Sequence, residues 1–356
     1  MTLALLTEPG RAGTTRVIEL PASGGRLEGH VTLRPLEIGV CGTDREISHG
    51  LFGVAPVGEP VLVLGHEVLG IVDEDGYGFA RGDLVTATVR RSCGRCAACH
   101  AGSPDSCLTG DYGERGITRL HGFARELVAE DPQQLIAIPA SLGRLGVLAE
   151  PASVCARALR HIHAIGGRQP WEPRRALVIG AGAVGMLATY LLRLEGVEVW
   201  TAALEPLDDP RSELAAAAGA RYVSTTGTSL GALREEVGPF DIVIEAAGNA
   251  DVMAETLGLL GRSGVACLLG IDPRLRSVAV EGTVLGLDAI LENRVVFGSV
   301  NAQRRDWLAA VQALDDAHRR WPGALDAFVG PRVPLDRFQE AFDYRGIKAT
   351  LVLTDT

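Results

Sequence analysis

From residue 176 onward the chain alternates short apolar runs with helix-like stretches: "ALVIG" (176–180), "AVGMLATYLLRLEG", "VEVWTAA", "DPRSELAAAAGA", "FDIVIEAAG" (240–248), "DVMAETLGLLGRSG", "GVACLLG" (264–270) and "RVVFGSV" (294–300). No other feature restricts the fold as much. Apolar runs of this length read as strands buried on both faces, and a helix between successive strands makes them parallel, because parallel neighbours need a crossover. The pattern predicts a doubly wound parallel sheet over this part of an α/β chain.

The turn after the first of these strands reads Gly180-Ala-Gly182-Ala183-Val184-Gly185 and opens a helix. Gly180 permits a tight turn, Gly182 lets the backbone approach a pyrophosphate, and Gly185 lets the helix pack on the strand. With Ala183 and Val184 this turn would hold phosphates at the helix N-terminus, where unpaired N–H groups and the dipole favour anions. A glycine-rich turn without a ligand shares the motif, but its place between strand and helix makes dinucleotide binding the reading. The second strand runs into "TAALEPLDD", where Glu205 stands 25 residues past Gly180. An acidic residue there bonds the adenosine ribose hydroxyls of NAD, whereas an arginine would take the extra phosphate of NADP. Arg211 is six residues further on. The reading is NAD over NADP, against the alternative that Glu205 is a solvated loop residue.

The first ~150 residues differ in texture. "LVLGHEVLGIVDE" and "GDLVTATVRR" are strands broken by turns, which indicates an irregular all-β domain. "EPASVCARALRHIHAI" (150–165) is helical, "GGRQPWEPRR" (166–175) is a linker, and the tail carries the helices "DWLAAVQALDDAHRRW" and "LDRFQEAFDY" and the strand "ATLVL". The expected domains are 1–165, 166–303, and a segment 304–356 that returns to the first.

Four of the seven cysteines fall in "SCGRCAACHAGSPDSC", spaced Cys93-x2-Cys96-x2-Cys99-x7-Cys107. An iron–sulfur run of this type continues x3-Cys-Pro; here seven residues intervene and Leu108 follows. A redox pair does not need the third and fourth thiol, and disulfides need an oxidising compartment. The start "MTLALLTEPGRAG" has no basic start and no long apolar core, so no signal peptide is read and the expectation is a cytoplasmic protein. Four-thiolate zinc is the reading, and with no open position it is structural. The lobe spans about 90–110.

The chemistry is then sought in three other stretches: Cys41 in "VCGTDREISHG", His66 and Glu67 in "LGHEVLG", and Glu150 in "LAEPASV". A lone buried cysteine or core histidine is usually just that. Together, thiolate, imidazole and carboxylate can hold zinc with a position open for substrate, where it acts as a Lewis acid on a bound hydroxyl. Asp44 is a candidate partner for the His66 imidazole. The net charge of −10 and the absence of a basic block argue against nucleic acid, and no apolar run is long enough to span a membrane. The alanine-rich, arginine-for-lysine composition suggests a GC-rich genome.

The combination resembles the zinc-dependent medium-chain dehydrogenase/reductase superfamily over the whole chain, through Cys41-Gly-Thr-Asp, Gly65-His66-Glu67, Gly82-Asp83, the cysteine lobe and the Gly180 fingerprint. Within it, "CGTDREI", "LVLGHEVLG", "VRRSCGRCAAC", "CLTGDYGERGITRLHGFARE", "GVLAEPASV" and "GSVNAQRRDW" are most similar to the glucose dehydrogenases first known from archaea. The resemblance implies a GroES-like β-rich catalytic domain plus a Rossmann domain. It implies two zinc ions: a structural one on Cys93, Cys96, Cys99 and Cys107, and a catalytic one on Cys41, His66 and a carboxylate from Glu67 or Glu150. Thr43 would contact the reacting hydroxyl, a proton would leave through Thr43 or through Glu67 or Glu150, and Glu114 and Asn301 match positions near the sugar and nicotinamide. The implied reaction is oxidation of an aldose, D-glucose first, at its anomeric hydroxyl to the lactone; the alternative is the same chemistry on a polyol, cyclitol or amino-sugar alcohol. A homodimer or homotetramer is implied. Two departures bear on this. Val89 stands where some sugar-binding relatives carry Asn, and Leu204-Glu205 stand where relatives that use NADP often carry an arginine pair. A non-catalytic NAD-binding protein on the same fold would be expected to have lost Cys41 or His66, and a zinc-free reductase of double bonds both the lobe and Gly-His-Glu; all are present.

Overall fold

The computed structural model of the 356-residue chain describes residues 2–20, 27–274 and 276–353. The chain forms two compact units: Met1–Ser153 with Asn301–Asp315 and Phe328–Thr356, and Val154–Val300 with Asp316–Ala327.

The first unit is built on the ten-residue strand Val31–Val40, whose side chains are buried almost throughout. Its sheet runs Leu135–Ala137, Leu84–Ala87, Glu67–Val72, Val31–Val40, Lys348–Val352, Val329–Pro334, and Val128–Glu130 also pairs with the central strand. The two neighbours of Val31–Val40 are antiparallel to it, in registers Gly39↔Glu67 and Ala349↔Val40. These registers bring three strand ends together: the one that leads into Cys41, the one that begins just after His66, and the one that begins at Lys348. The core behind them includes Leu5, Ile38, Val68, Phe123, Val333 and Leu351. One carboxylate lies within this strand rather than at its end: Glu37 is buried and joined by Arg144 and, at 3.1 Å, by Arg332.

The second unit carries six parallel strands in the order Arg221–Ser224, Glu198–Ala203, Arg175–Ile179, Phe240–Glu245, Leu260–Leu268, Val295–Gly298. Counted along the chain this is 3-2-1-4-5-6, the doubly wound arrangement with its reversal of strand order beside the first strand. The fold class read from the alternation is the one observed. Two local readings are corrected. The strand Arg221–Ser224 was not anticipated; it lies at the sheet edge and none of its residues is buried, so it lacks the apolar run that marks the others. The helix expected through "LGLLGRSG" stops at Leu259, and Leu260–Leu268 is a strand. Leu260 already pairs with Phe240, and Gly261 fits where a Cβ would lie 3.2 Å from Pro239.

Candidate active site

Helix Gly42–Ser48 begins at the end of the central strand, with Cys41 as its N-cap. The backbone N–H of Thr43 donates to Cys41 Sγ at 3.2 Å, and the Cys41 N–H donates to Asp44 Oδ2 at 3.0 Å. This reciprocal cap fixes the thiol and the carboxylate together. Across the pair of strands, His66 Nε2 is 3.1 Å from Cys41 Sγ, and His66 Nδ1 is 3.4 Å from Asp44 Oδ1. Asp44 thus stands where an orienting partner of the imidazole belongs. Donor atoms of Cys41, Asp44 and His66 lie within 4.8 Å of one another, as do those of His66, Glu67 and Glu150, so His66 is shared by two overlapping sets. Glu150 comes from the first turn of helix Ala149–Gly166.

The electrostatics of this cluster call for a cation. Burial works against a charged His66, but the Cys41 and Asp44 charges outweigh it and hold the imidazole well above its ordinary range. Burial, reinforced by the charge of Glu67, pushes the Glu150 carboxyl up to about 7, although His66 pulls the other way. A thiol and two carboxylates gathered about one buried imidazole are the kinds of donor an open zinc centre uses, and the residues fit that ion.

Glu67 is held differently from the other donors. Its carboxylate accepts from Lys348 Nζ through both oxygens, at 2.7 and 2.5 Å. Lys348 did not emerge from the sequence reading; 281 residues separate it from Glu67, and only the Ala349↔Val40 pairing reveals its place.

Glu114 and Asn301 meet: Asn301 Nδ2 donates to Glu114 Oε1 at 3.0 Å. Arg90, the second residue the sequence reading left aside, donates to the same oxygen through Nε at 3.0 Å, and its guanidinium lies 4.0 Å above the Tyr112 ring. Two residues donating to one oxygen fix the carboxylate. The turn that follows Glu114 packs directly on the His66 segment: a Cβ at Gly116 would lie 2.7 Å from Gly65 O.

In the cysteine lobe the sulfurs stand 3.9 Å (Cys93–Cys99), 3.5 Å (Cys96–Cys99), 4.0 Å (Cys96–Cys107) and 3.5 Å (Cys107–Cys93) apart. Tetrahedral zinc with Zn–S near 2.3 Å separates its sulfurs by about 3.8 Å, so the lobe fits a four-thiolate ion. Among the described residues no disulfide forms. Hydrogen bonding from Thr109 draws the Cys107 thiol down to about 6.

Two glycines of the second unit occupy positions where a side chain would not fit. Gly180 sits at φ 105°. A Cβ at Gly185 would lie 1.8 Å from Gly180 O, so only glycine lets helix Ala183–Leu194 approach the strand, while the space beside Gly182 is open. A cavity of about 540 Å³ opens there, lined by Gly180, Gly182, Leu204, Glu205, Thr225 and Asn249. Ala183 and Val184 form the first helical turn, and Gly185 serves packing. Arg211 is nearer to Glu205 than their separation in sequence suggests: its Nη1 is 3.4 Å from Glu205 Oε1 and 2.9 Å from Asp209 Oδ2.

A β-rich domain bearing an open thiolate–imidazole–carboxylate set, a four-cysteine lobe and a doubly wound nucleotide sheet define a zinc-dependent medium-chain dehydrogenase. The alcohol dehydrogenase GroES-like domain family matches residues 27–140, and the glucose dehydrogenase C-terminus family matches residues 143–353. The chain is 40% identical over 338 residues, 93% of each protein, to a glucose 1-dehydrogenase of Methanocella arvoryzae, and 38% identical over 343 residues, 95% of each, to that of Thermoproteus tenax. The glucose dehydrogenase of Haloferax mediterranei, solved in complex with NADP, Zn and gluconolactone, superposes with a TM-score of 0.91 at 30% identity, covering 99% of this chain and all of that one. This chain belongs to the glucose dehydrogenase family, and it is an oxidoreductase acting on CH–OH donors. Among the described residues no helix is long and apolar enough to cross a membrane.

Proposed function

We propose that the chain oxidises an aldose, D-glucose first, at its anomeric hydroxyl to the lactone, passing a hydride to NAD. The observation that carries this reading is the sharing of His66 by two overlapping donor sets, Cys41 with Asp44 and Glu67 with Glu150. Zinc bound there supplies a Lewis acid that polarises the reacting hydroxyl. The protein's own groups do the rest. Asp44 orients His66, Thr43 contacts the hydroxyl, and Glu67 and Glu150 are the carboxylates available to hold the metal and take up the released proton. Glu114, fixed by Arg90 and Asn301, presents a carboxylate oxygen to sugar hydroxyls, and Asn301 also serves the nicotinamide. A second zinc on Cys93, Cys96, Cys99 and Cys107 is structural, and thiols that must stay reduced to hold it suit a cytoplasmic setting.

The preference for NAD rests on Glu205 at the cofactor cavity and on Arg211 being engaged by Glu205 and Asp209 rather than turned to a phosphate. The test is the initial rate of NAD and NADP reduction with D-glucose and the zinc-replete protein. Glucose turnover with NAD supports reaction, substrate and cofactor together; two zinc ions and NADH binding without glucose turnover would move the substrate to the polyol, cyclitol or amino-sugar class. Glu205→Arg is expected to shift the ratio of kcat/KM values toward NADP by about ten- to a hundredfold, the worth of ~1.5–3 kcal/mol for a hydrogen bond to a charged group. An unchanged ratio would remove Glu205 from the ribose contact.

A homodimer or homotetramer is proposed through the second unit. The edge strand Val295–Gly298 follows a helical stretch on which Leu285, Leu287, Ile290 and Leu291 are half or more exposed. Unpaired strand edges and apolar surface of this kind are association sites. Light scattering on the purified protein should give a multiple of 37.5 kDa; the monomer mass would overturn it.

A further inference from the structure

A cavity of about 410 Å³ opens in the first unit beside the cysteine lobe, and none of the residues lining it belongs to either donor set around His66. Ten residues line it, and all but Pro104 and Ala302 are polar. Gln303 is the most telling of them. It is 8% exposed, and its hydrogen bonds are made by the backbone: its N–H donates to Asp306 Oδ2 at 3.0 Å, and its carbonyl accepts from the N–H groups of Asp306 and Trp307. Among the described residues, none pairs with its side-chain amide. A carboxamide more than nine-tenths buried in a cavity wall has two N–H donors and an acceptor oxygen to satisfy, and a folded chain rarely leaves such groups unmade.

The rest of the wall narrows the ligand class. Arg90 spends its guanidinium on Glu114, on Asp105 O and on the face of the Tyr112 ring. Arg304 Nη1 donates to the carbonyls of Gln133 and Leu135, both at 2.7 Å. The two cations in the wall are thus already engaged, and the buried Asp105 carboxyl beside them disfavours an anion. What remains are the amides of Gln133, Gln134 and Gln303 and the hydroxyl of Thr88, which donates to Gln134 Oε1. Groups that both donate and accept match a ligand whose groups do the same, and in a small neutral molecule these are the hydroxyls of a sugar. The volume lies within the range of small-molecule sites.

The cavity is tied to Glu114 by two routes. Arg90 lines it and grips Glu114 Oε1 through Nε and, at 2.9 Å, through Nη2. Ala302 and Gln303 line it and follow directly on Asn301, the other donor to that oxygen. Resting on the aldose reading given above, in which Glu114 meets sugar hydroxyls, we infer that this cavity is a second carbohydrate subsite and that Gln303 specifies it. The sugar it takes has two sources: the far unit of a disaccharide whose reducing end is oxidised, or a free sugar that binds beside the reacting one.

The test uses the zinc-replete full chain and Gln303→Leu, which removes the amide and keeps the backbone bonds. The melting temperature should not fall, since an unpaired buried amide is exchanged for an apolar group. Steady-state kinetics give kcat/KM for D-glucose, cellobiose and maltose, and calorimetry follows binding of methyl β-D-glucoside, whose anomeric oxygen is capped. If the far unit of a disaccharide is the ligand, cellobiose or maltose is turned over, and Gln303→Leu lowers its kcat/KM about three- to tenfold, the net worth of one hydrogen bond, while that of D-glucose changes by less than about twofold. If a free sugar is the ligand, Gln303→Leu weakens methyl β-D-glucoside binding by the same factor, again with glucose turnover kept. Disaccharide turnover and glycoside binding both unaltered by Gln303→Leu overturn the inference and leave the aldose reading standing. An equal fall for glucose and the disaccharides also overturns it, because the amide then acts on the reacting sugar. Glycoside binding that weakens in Gln303→Leu, in a protein that turns over no glucose, keeps the subsite and ends the aldose reading instead. Should Gln303→Leu fail to fold, Gln133→Leu, at an exposed position of the cavity lining, takes its place with the same expected outcomes.

Discussion

His66→Ala is expected to lower glucose-dependent NAD reduction by at least about a thousandfold, since the metal's polarisation of the substrate oxygen is worth several kcal/mol and each ~1.4 kcal/mol is a factor of ten. His66 is the one residue common to both donor sets, so its loss leaves neither set complete. It also removes the imidazole that Asp44 orients. NADH binding should persist, because Gly180, Gly182 and Glu205 belong to the unit Val154–Val300 and make no use of His66. The measurements are steady-state kinetics, zinc content and an NADH fluorescence titration on the same preparation. Loss of one zinc and of turnover with NADH binding retained is the expected set; full activity would refute the catalytic-metal assignment.

What could be read from the sequence depended on how near in the chain the interacting groups lie. The Gly180 turn was legible because its three glycines act within six residues: one sets φ, one leaves room, and one admits the helix. The cysteine lobe was legible for the same reason. The two donor sets about His66 could be sought only as a combination, since Cys41 and Glu150 each reach His66 through strand register and a helix start that no local pattern encodes. Lys348, Arg90 and the Glu205–Arg211 contact were not legible. Lys348 reaches Glu67 because the last strand pairs with the central one, and a single lysine in a list of basic residues carries no address. Arg90 belongs to no motif that would single it out, yet it fixes Glu114 across the small sheet formed by Arg90–Arg91 and Gly113–Arg115. In the second unit, the strand Arg221–Ser224 escaped because half-exposed edge strands lack the apolar run by which buried strands are recognised.

Cys93→Ser is the second large effect, and the lobe's own composition explains why. Between Ser92 and Gly110 the only buried residue is polar, Asp105, while Leu108 is 72% exposed. The segment has one four-residue helix, Ala97–His100, and one short turn of 3-10 helix, Pro104–Ser106. Nothing apolar holds these pieces together, so the four sulfurs and the ion they fit must do so; structural zinc in such a segment is folding energy outright. Losing one thiolate should release one zinc, open residues 92–110 to proteolysis, and lower the melting temperature by about 5 °C or more, taking ~2 kcal/mol at ~2–4 °C per kcal/mol. The damage should also reach the sugar site by a defined route. Arg90 donates to Asp105 O at 2.6 Å from one nitrogen and to Glu114 from another, so a lobe that unravels removes one anchor of that arginine. Glu114 then loses a fixed donor, although Asn301 still holds it. The expected kinetic signature is a KM for glucose raised several-fold with a smaller fall in kcat, in contrast to His66→Ala, where the loss falls on turnover. Intact stability, zinc content and KM in Cys93→Ser would refute the structural-zinc assignment. A stability loss with KM unchanged would separate the lobe from Glu114 and leave Arg90 anchored by Tyr112 and Glu114 alone.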